Sequence, residues 1–176
     1  MISYWMGVAS QDHVERGVEG GFCQFCHGKS WPLERLKPGD RIIYYSPRKQ
    51  MNEGAAIQAF TAIGEVLKDA PHKFDMSGGF VATRRAVRFF KASPASIRPL
   101  LPKLSFTQDR QSWGYAFRRG FFPITEADYK TIAQAMNVDE KSEMHDRRVR
   151  GGHFGILTLT RSRGRYRCPG SIPVRS

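Results

Sequence analysis

Separate runs of β-branched and aromatic residues, divided by short polar, glycine or proline stretches, constrain this chain most. They are Ile2–Ala9, Arg41–Tyr45, Ile57–Leu67 and Phe80–Lys91. Such residues suit a pleated, half-buried surface, so each run reads as a strand. Gly64 lies inside the third run and marks a bulge or a close approach of backbones. Short strands interleaved with short helices predict an α+β chain whose sheet curls into a small, partly closed barrel.

The helices announce themselves by their caps. Ser10-Gln11-Asp12-His13 opens a short helix over 11–17 that Gly17 ends. Pro32 starts a second helix that runs to Lys37, where Lys37-Pro38-Gly39-Asp40 turns the chain. Thr125-Glu126-Ala127-Asp128 is an acidic capping box, and it predicts a helix from Glu126 to Met136 with Tyr129, Ile132 and Met136 on one face. The strand at Tyr45 is expected to stop at Ser46-Pro47, and 48–55 reads as a mobile loop. Pro94–Leu101 reads as a helical turn, and Trp113–Phe122 as a last strand or extended segment.

Charge is unevenly placed. The formal net charge is +12 over 176 residues, and residues 141–176 hold 9 Lys/Arg against 2 Asp/Glu. Residues 1–140 therefore read as one domain, and 141–176 as a basic, disordered or loosely attached extension in which only Phe154–Leu159 has strand character. A basic balance favours a polyanionic partner, although a basic tail also serves solubility. No run approaches the roughly 20 apolar residues that cross a bilayer, so no membrane partner is expected. The first ten residues carry no basic segment of a signal peptide, and the reading is cytoplasmic, with reduced thiols.

One segment admits incompatible readings. Cys23-x-x-Cys26-His27 has the spacing of c-type haem attachment, but that chemistry belongs to exported proteins. Structural zinc needs about four ligands, and only Cys168 or a distant histidine remains to complete the set. In context the same residues form a glycine-bounded loop, Gly20 to Lys29, between a strand and a helix. Gln24, His27 and Lys29 within it suit a pocket for a flat polar ligand. There is no P-loop, no dinucleotide glycine fingerprint and no paired-carboxylate motif, so catalysis is not expected.

Several motifs occur together in a recognisable order. Tyr4-Trp5, Ser10-Gln11-Asp12-His13, Gly21-Phe22-Cys23-Gln24-Phe25-Cys26-His27-Gly28-Lys29, Tyr44-Tyr45-Ser46-Pro47, Gln58 to Gly64, and Trp113-Gly114-Tyr115-Ala116-Phe117-Arg118-Arg119-Gly120 resemble bacterial EVE-domain proteins. The resemblance covers roughly residues 2–138 and none of the tail. It implies the PUA-like superfamily, to which the YTH readers of N6-methyladenine are related. The fold implied is a small mixed β-barrel flanked by short helices. The function implied is a non-enzymatic module that holds a modified base of DNA or RNA in an aromatic-lined pocket, with no cofactor and no metal.

A base reader needs rings for stacking, a few polar groups for the base edge and cations for phosphates. The candidates for the pocket are Trp5, Ser10, His13, Phe22, Gln24, His27, Lys29, Tyr45, Ser46, Trp113 and Phe117, with Phe25 as a further wall. Those for phosphate are Lys29, Arg84, Arg85, Arg118 and Arg119. Trp5 reads equally as core, Ser10 as a helix cap, His13 as a cap, and the arginines as a solvated strand face. The alternative function is a cytosolic metal- or thiol-dependent protein using Cys23, Cys26 and His27.

Overall fold

The computed structural model of the chain describes residues 1–51, 54–76, 79–108 and 112–143. Beyond residue 143 the expected basic extension, with its strand-like stretch at 154–159, lies outside the described residues, as do 52–53 of the expected loop.

The order of elements is β1 (Tyr4–Val8), α1 (Gln11–Gly20), β2 (Phe22–Cys23), α2 (Trp31–Arg35), β3 (Arg41–Arg48), β4 (Ala56–Val66), β5 (His72–Asp75), β6 (Val81–Lys91), β7 (Ala95–Ser96), β8 (Phe121–Ile124), α3 (Glu126–Ala135) and β9 (Asp139–Glu143). The sheet runs β2-β6-β4-β3-β1-β8, with β5 and β9 added to β6 and β7 to β4. β1 and β3 are parallel, and the remaining pairs are antiparallel. The two ends of this path meet through side chains: Phe25, just after β2, and Phe121 of β8 have ring centroids 4.8 Å apart. The sheet therefore curls, and the α+β class and small mixed barrel with short flanking helices are what the chain forms.

Strand alternation splits the core in two. Trp5, Ile42, Tyr44, Phe89 and Phe121 join one apolar cluster. Their chain neighbours Met6, Ile43, Tyr45, Phe90 and Phe122 join the other, beneath α3. β1 and β3 are buried on both faces and read as apolar runs, whereas β6 carries Arg84, Arg85 and Arg88 between its apolar residues. Gly64 is a close approach, since a Cβ there would sit 2.6 Å from the Arg88 carbonyl oxygen.

The capping expectation holds at α3 and fails at α1, where Ser10 makes no side-chain cap bond. The capping box forms, with Thr125 Oγ1 accepting from the Asp128 amide. α1 does not end at Gly17 but runs three residues on to Gly20, and Gly21 closes it at φ +65°. Gly17 is instead pressed against the Phe22 carbonyl oxygen, where a Cβ would come to 2.8 Å. The loop after Gly21 thus follows a helix and the short β2, not a preceding long strand. β3 passes through Ser46-Pro47 to Arg48, because a register irregularity there spares Pro47 a ladder bond. Ala95–Ser96 pairs with β4 before a 3-10 turn over Arg98–Leu100. Trp113–Arg119 is a 3-10 helix, and only Phe121–Ile124 is extended. Burial of Ala116 and Phe117 fixes it, and Gly120 ends it at φ +70°. Among the described residues no helix is long and apolar enough to cross a membrane.

Candidate functional site

Beside the open end of the barrel lies a cavity of about 590 Å³. Five parts of the chain build it: the β1–α1 junction, the loop after β2, the turn after β3, the turn after β5, and Gly120 before β8. The junction is tied to its neighbours by backbone bonds. The Val8 amide donates to the Gly120 carbonyl at 2.9 Å, Ala9 to Tyr45 at 3.2 Å and Asp12 to Lys49 at 3.1 Å. Those ties place Ser10 and His13 on the cavity wall.

The loop is held from below by a tyrosine. The Tyr44 hydroxyl accepts from the Gln24 amide and donates to the Gln24 carbonyl, each at 3.1 Å. Phe25 stacks on the Tyr44 ring at 5.2 Å and fills the space that a side chain on Gly7 would need. Cys26, His27 and Gly28 then adopt left-handed backbone in succession, at φ +48°, +57° and +77°. For the two non-glycine residues this conformation costs on the order of 1 kcal/mol or more each, and it persists only where surrounding contacts over-determine it. One such contact is at Gly28, where a Cβ would meet the Ala82 Cβ at 2.7 Å. The tight turn leaves His27 exposed at the cavity edge.

Gln24 is buried, yet its side chain reaches the cavity. Its Oε1 accepts from Arg84 Nε at 3.3 Å. The Arg84 guanidinium is itself sandwiched between two rings, 3.8 Å from the Phe22 centroid and 3.6 Å from that of Phe74. The far wall is apolar and carries Met51, Met76 and Phe80, all exposed.

The structure brings Ser10, His13, Gln24 and His27 together on this wall, with Phe25. Phe22 and Arg84 stand behind Gln24, and Lys29 is exposed at the end of the loop. The other candidates lie elsewhere. Trp5 is core: it stacks on Phe121 at 4.8 Å and donates from Nε1 to Asp40 Oδ2 at 3.1 Å. Tyr45 and Phe117 stack on one another at 3.9 Å beneath α3, and Trp113 meets Phe117 edge-on at 6.2 Å. Ser46 is fully buried and shares a 2.7 Å hydrogen bond with Thr61. Arg85 is buried and donates to the Leu33 and Leu36 carbonyls at 3.1 and 2.7 Å, which closes the end of α2. Arg118 and Arg119 are exposed and lie over Tyr115 and Phe122.

Sequence reasoning passed over Arg16, Gln50, Met51, Met76 and Phe80, which also line the cavity. Their signal was weak: methionines and a phenylalanine beside glycine-rich turns, apolar where solvent-facing turns are ordinarily polar. No periodicity brings 51 and 76 to residue 24.

Titration follows the same geometry. Burial pushes His13 below its ordinary value, the nearby Arg16 guanidinium adds to this, and Asp12 opposes it. The neutral imidazole is therefore favoured at pH 7, and a hydrogen bond to the Gln24 backbone engages one side of the ring. Burial pushes the Cys23 thiol up to about 12 and raises that of half-buried Cys26, against the pull of Lys29. Both stay protonated thiols at neutral pH, the unreactive and weakly ligating form. Among the described residues, no three His, Cys, Asp or Glu side chains gather as a metal-ligand set.

The chain is 49% identical over 138 residues to the UPF0310 protein msl3206 of Mesorhizobium japonicum, which covers 77% of this chain and 93% of that one. It is 46% identical to the UPF0310 protein in the gntR 5' region of Bacillus licheniformis, over 72% of this chain and 86% of that one. The NMR structure of Rpa0253 from Rhodopseudomonas palustris superposes with a TM-score of 0.46 at 19% identity, over 77% of this chain and 94% of that one. A family model for the EVE domain matches residues 3–135, which take in every element from β1 to α3. On that match, and on relatives spanned almost end to end, the chain belongs to the EVE-domain family.

Proposed function

We propose that this protein is a binding module that takes one base of DNA or RNA, carrying a small modification, into the cavity beside Gln24, and performs no chemistry on it. The observation that carries the reading is the convergence of Ser10 and His13, from the start of α1, with Gln24 and His27, from the loop after β2, on one wall of a 590 Å³ space with Phe25 beside them. That volume falls within the roughly 300–1,000 Å³ of small-ligand sites, and the mix of rings with a few convergent polar groups is what such sites share. The Gln24 amide meets the base edge, helped by what hydrogen-bonding capacity His13 keeps beside its bond to the Gln24 backbone and Ser10 keeps beside its bond to Asp12. Phe25 and Phe80 supply flat apolar surface, on which a base gains about 1–3 kcal/mol by stacking. Val8, Ala9, Met51 and Met76 line apolar wall where a methyl group displaces water favourably. Lys29 and Arg16 are the nearby exposed cations for the flanking phosphates.

The test is a fluorescence-anisotropy titration with short oligonucleotides that differ only at one central base: cytosine, 5-methylcytosine, adenine or N6-methyladenine. Tighter binding of one modified probe, retained as salt is raised, is the expected result. Equal affinity for modified and unmodified probes, abolished by salt alone, would show phosphate attraction without base reading.

A further inference from the structure

Gln24 carries both a donor and an acceptor on one side chain, and in general either end can face a ligand. Here the two ends are not equivalent. Oε1 is engaged by Arg84 Nε at 3.3 Å, whereas the amide nitrogen has no hydrogen-bond partner among the described residues. The engaging guanidinium cannot turn away at little cost. It lies between the Phe22 and Phe74 rings, at 3.8 and 3.6 Å, and a planar cation between two ring faces keeps one orientation. Phe22 belongs to β2 and Phe74 to β5, both paired to β6, which carries Arg84. The clamp is thus built from three adjacent strands of one sheet, and Gln24 follows β2 directly.

We infer that Arg84 is a positioning residue: held between Phe22 and Phe74, it locks the Gln24 amide with its oxygen turned away and its N–H groups toward the cavity, so that the site selects a ligand edge bearing a hydrogen-bond acceptor. This rests on the base-binding reading and narrows it. The ligand is a base that turns a carbonyl oxygen or an unprotonated ring nitrogen toward Gln24, not an exocyclic amine. A flipped amide would set its NH2 group against the Arg84 N–H and leave two donors facing each other, and the clamp removes that state. Arg84 touches no ligand in this scheme, and its effect passes through Gln24.

The deciding experiment uses the full chain, 15N-labelled, with the tightest of the four oligonucleotides named above. The Gln24 side-chain NH2 resonances, assigned by their loss in Gln24→Glu, are expected to move downfield on binding. Gln24→Glu keeps the Arg84 contact but replaces the inward donor by an acceptor, and it should weaken binding by about tenfold or more. Arg84→Met should weaken it by a few-fold and move the Gln24 NH2 resonances toward those of an unconstrained glutamine side chain by freeing the amide to turn about Cγ–Cδ. Arg84→Lys should not restore either property, because an ammonium lacks the planar fork that stacks between two rings. Thermal unfolding of each variant checks that the fold is kept. Unmoved amide resonances on binding, or a Gln24→Glu variant that binds as tightly as or tighter than wild type, would overturn the inference while leaving base binding intact. Failure of the wild type to bind any probe would overturn base binding and this ligand class together.

Discussion

Two regions of the barrel hold clustered aromatic rings and differ in what lies between them. Beneath α3, Tyr45, Phe60, Phe106, Phe117 and Phe122 pack against one another, with Met6, Ile132 and Met136 filling the gaps. Beside β2, Phe25 and Phe80 are interrupted by Ser10, His13 and Gln24, and a space of about 590 Å³ remains. Apolar side chains of complementary shape close on themselves, because every void forfeits contacts. Polar groups held by the backbone resist that collapse, since burying them without partners is costly. A ligand pocket arises where such groups are fixed in place by their own partners and keep bonding capacity toward the space, not where rings are most abundant.

The largest expected effect tests the packed side. Phe117→Ala should cost about 3–5 kcal/mol of stability, read from the midpoint of urea unfolding, because its ring is buried against Tyr45. Its affinity per folded molecule should be unchanged, and a loss of binding by a fully folded variant would break the division between the two regions. Arg85→Met comes next. Two carbonyls at the end of α2 lose their donor, a cost of about 1–3 kcal/mol. The salt dependence of oligonucleotide binding should keep its slope, whereas a slope reduced by about one would put Arg85 on a phosphate.

On the open side, Gln24→Ala should leave thermal stability within about 1 kcal/mol and weaken binding of the preferred probe by about tenfold, equivalent to about 1.4 kcal/mol. The reverse pattern, lost stability with retained binding, would make Gln24 a structural group. The smallest effect is a pH dependence. Because the folded state holds His13 below its ordinary value of 6.5, the unfolded chain takes up a proton first as pH falls. The stability that neutral His13 contributes is complete above pH 6.5 and is lost as pH drops through 6.5 toward the lower folded value. His13→Gln should flatten that slope in unfolding measured from pH 8 to 5.

How much could be read beforehand follows from the range of each interaction. Capping chemistry is local, so α3 and its capping box stood in Thr125-Glu126-Ala127-Asp128. β1, β3 and β4 were legible because β-branched and aromatic residues fill them and most of their positions are buried, and β6 because Val81, Val87, Phe89 and Phe90 give it the same character between its arginines. β5 and β7 were not: β5 is exposed throughout, and each is a strand only by virtue of its partner. Trp113–Arg119 has strand-like composition but coils into a 3-10 helix, since its aromatic rings must reach the core under α3.

The candidate site divides along the same line. Ser10, His13, Gln24 and His27 were legible because glycines and a helix start bracket them in the chain. Trp5, Tyr45, Ser46, Trp113 and Phe117 were not separable from them, because a ring that lines a core and a ring that lines a pocket look alike until its neighbours are known. From its residues alone this chain determined a mixed barrel, its main strands, the cap of its last helix and the loop that carries Gln24. Tertiary structure alone decided which aromatic rings were used up in packing. It set Arg84 between Phe22 and Phe74 and turned Arg85 inward to the end of α2. The reason is physical: propensity and capping act within a few residues, whereas the choice between filled core and open cavity depends on volumes and hydrogen-bond partners brought together across some sixty positions of sequence.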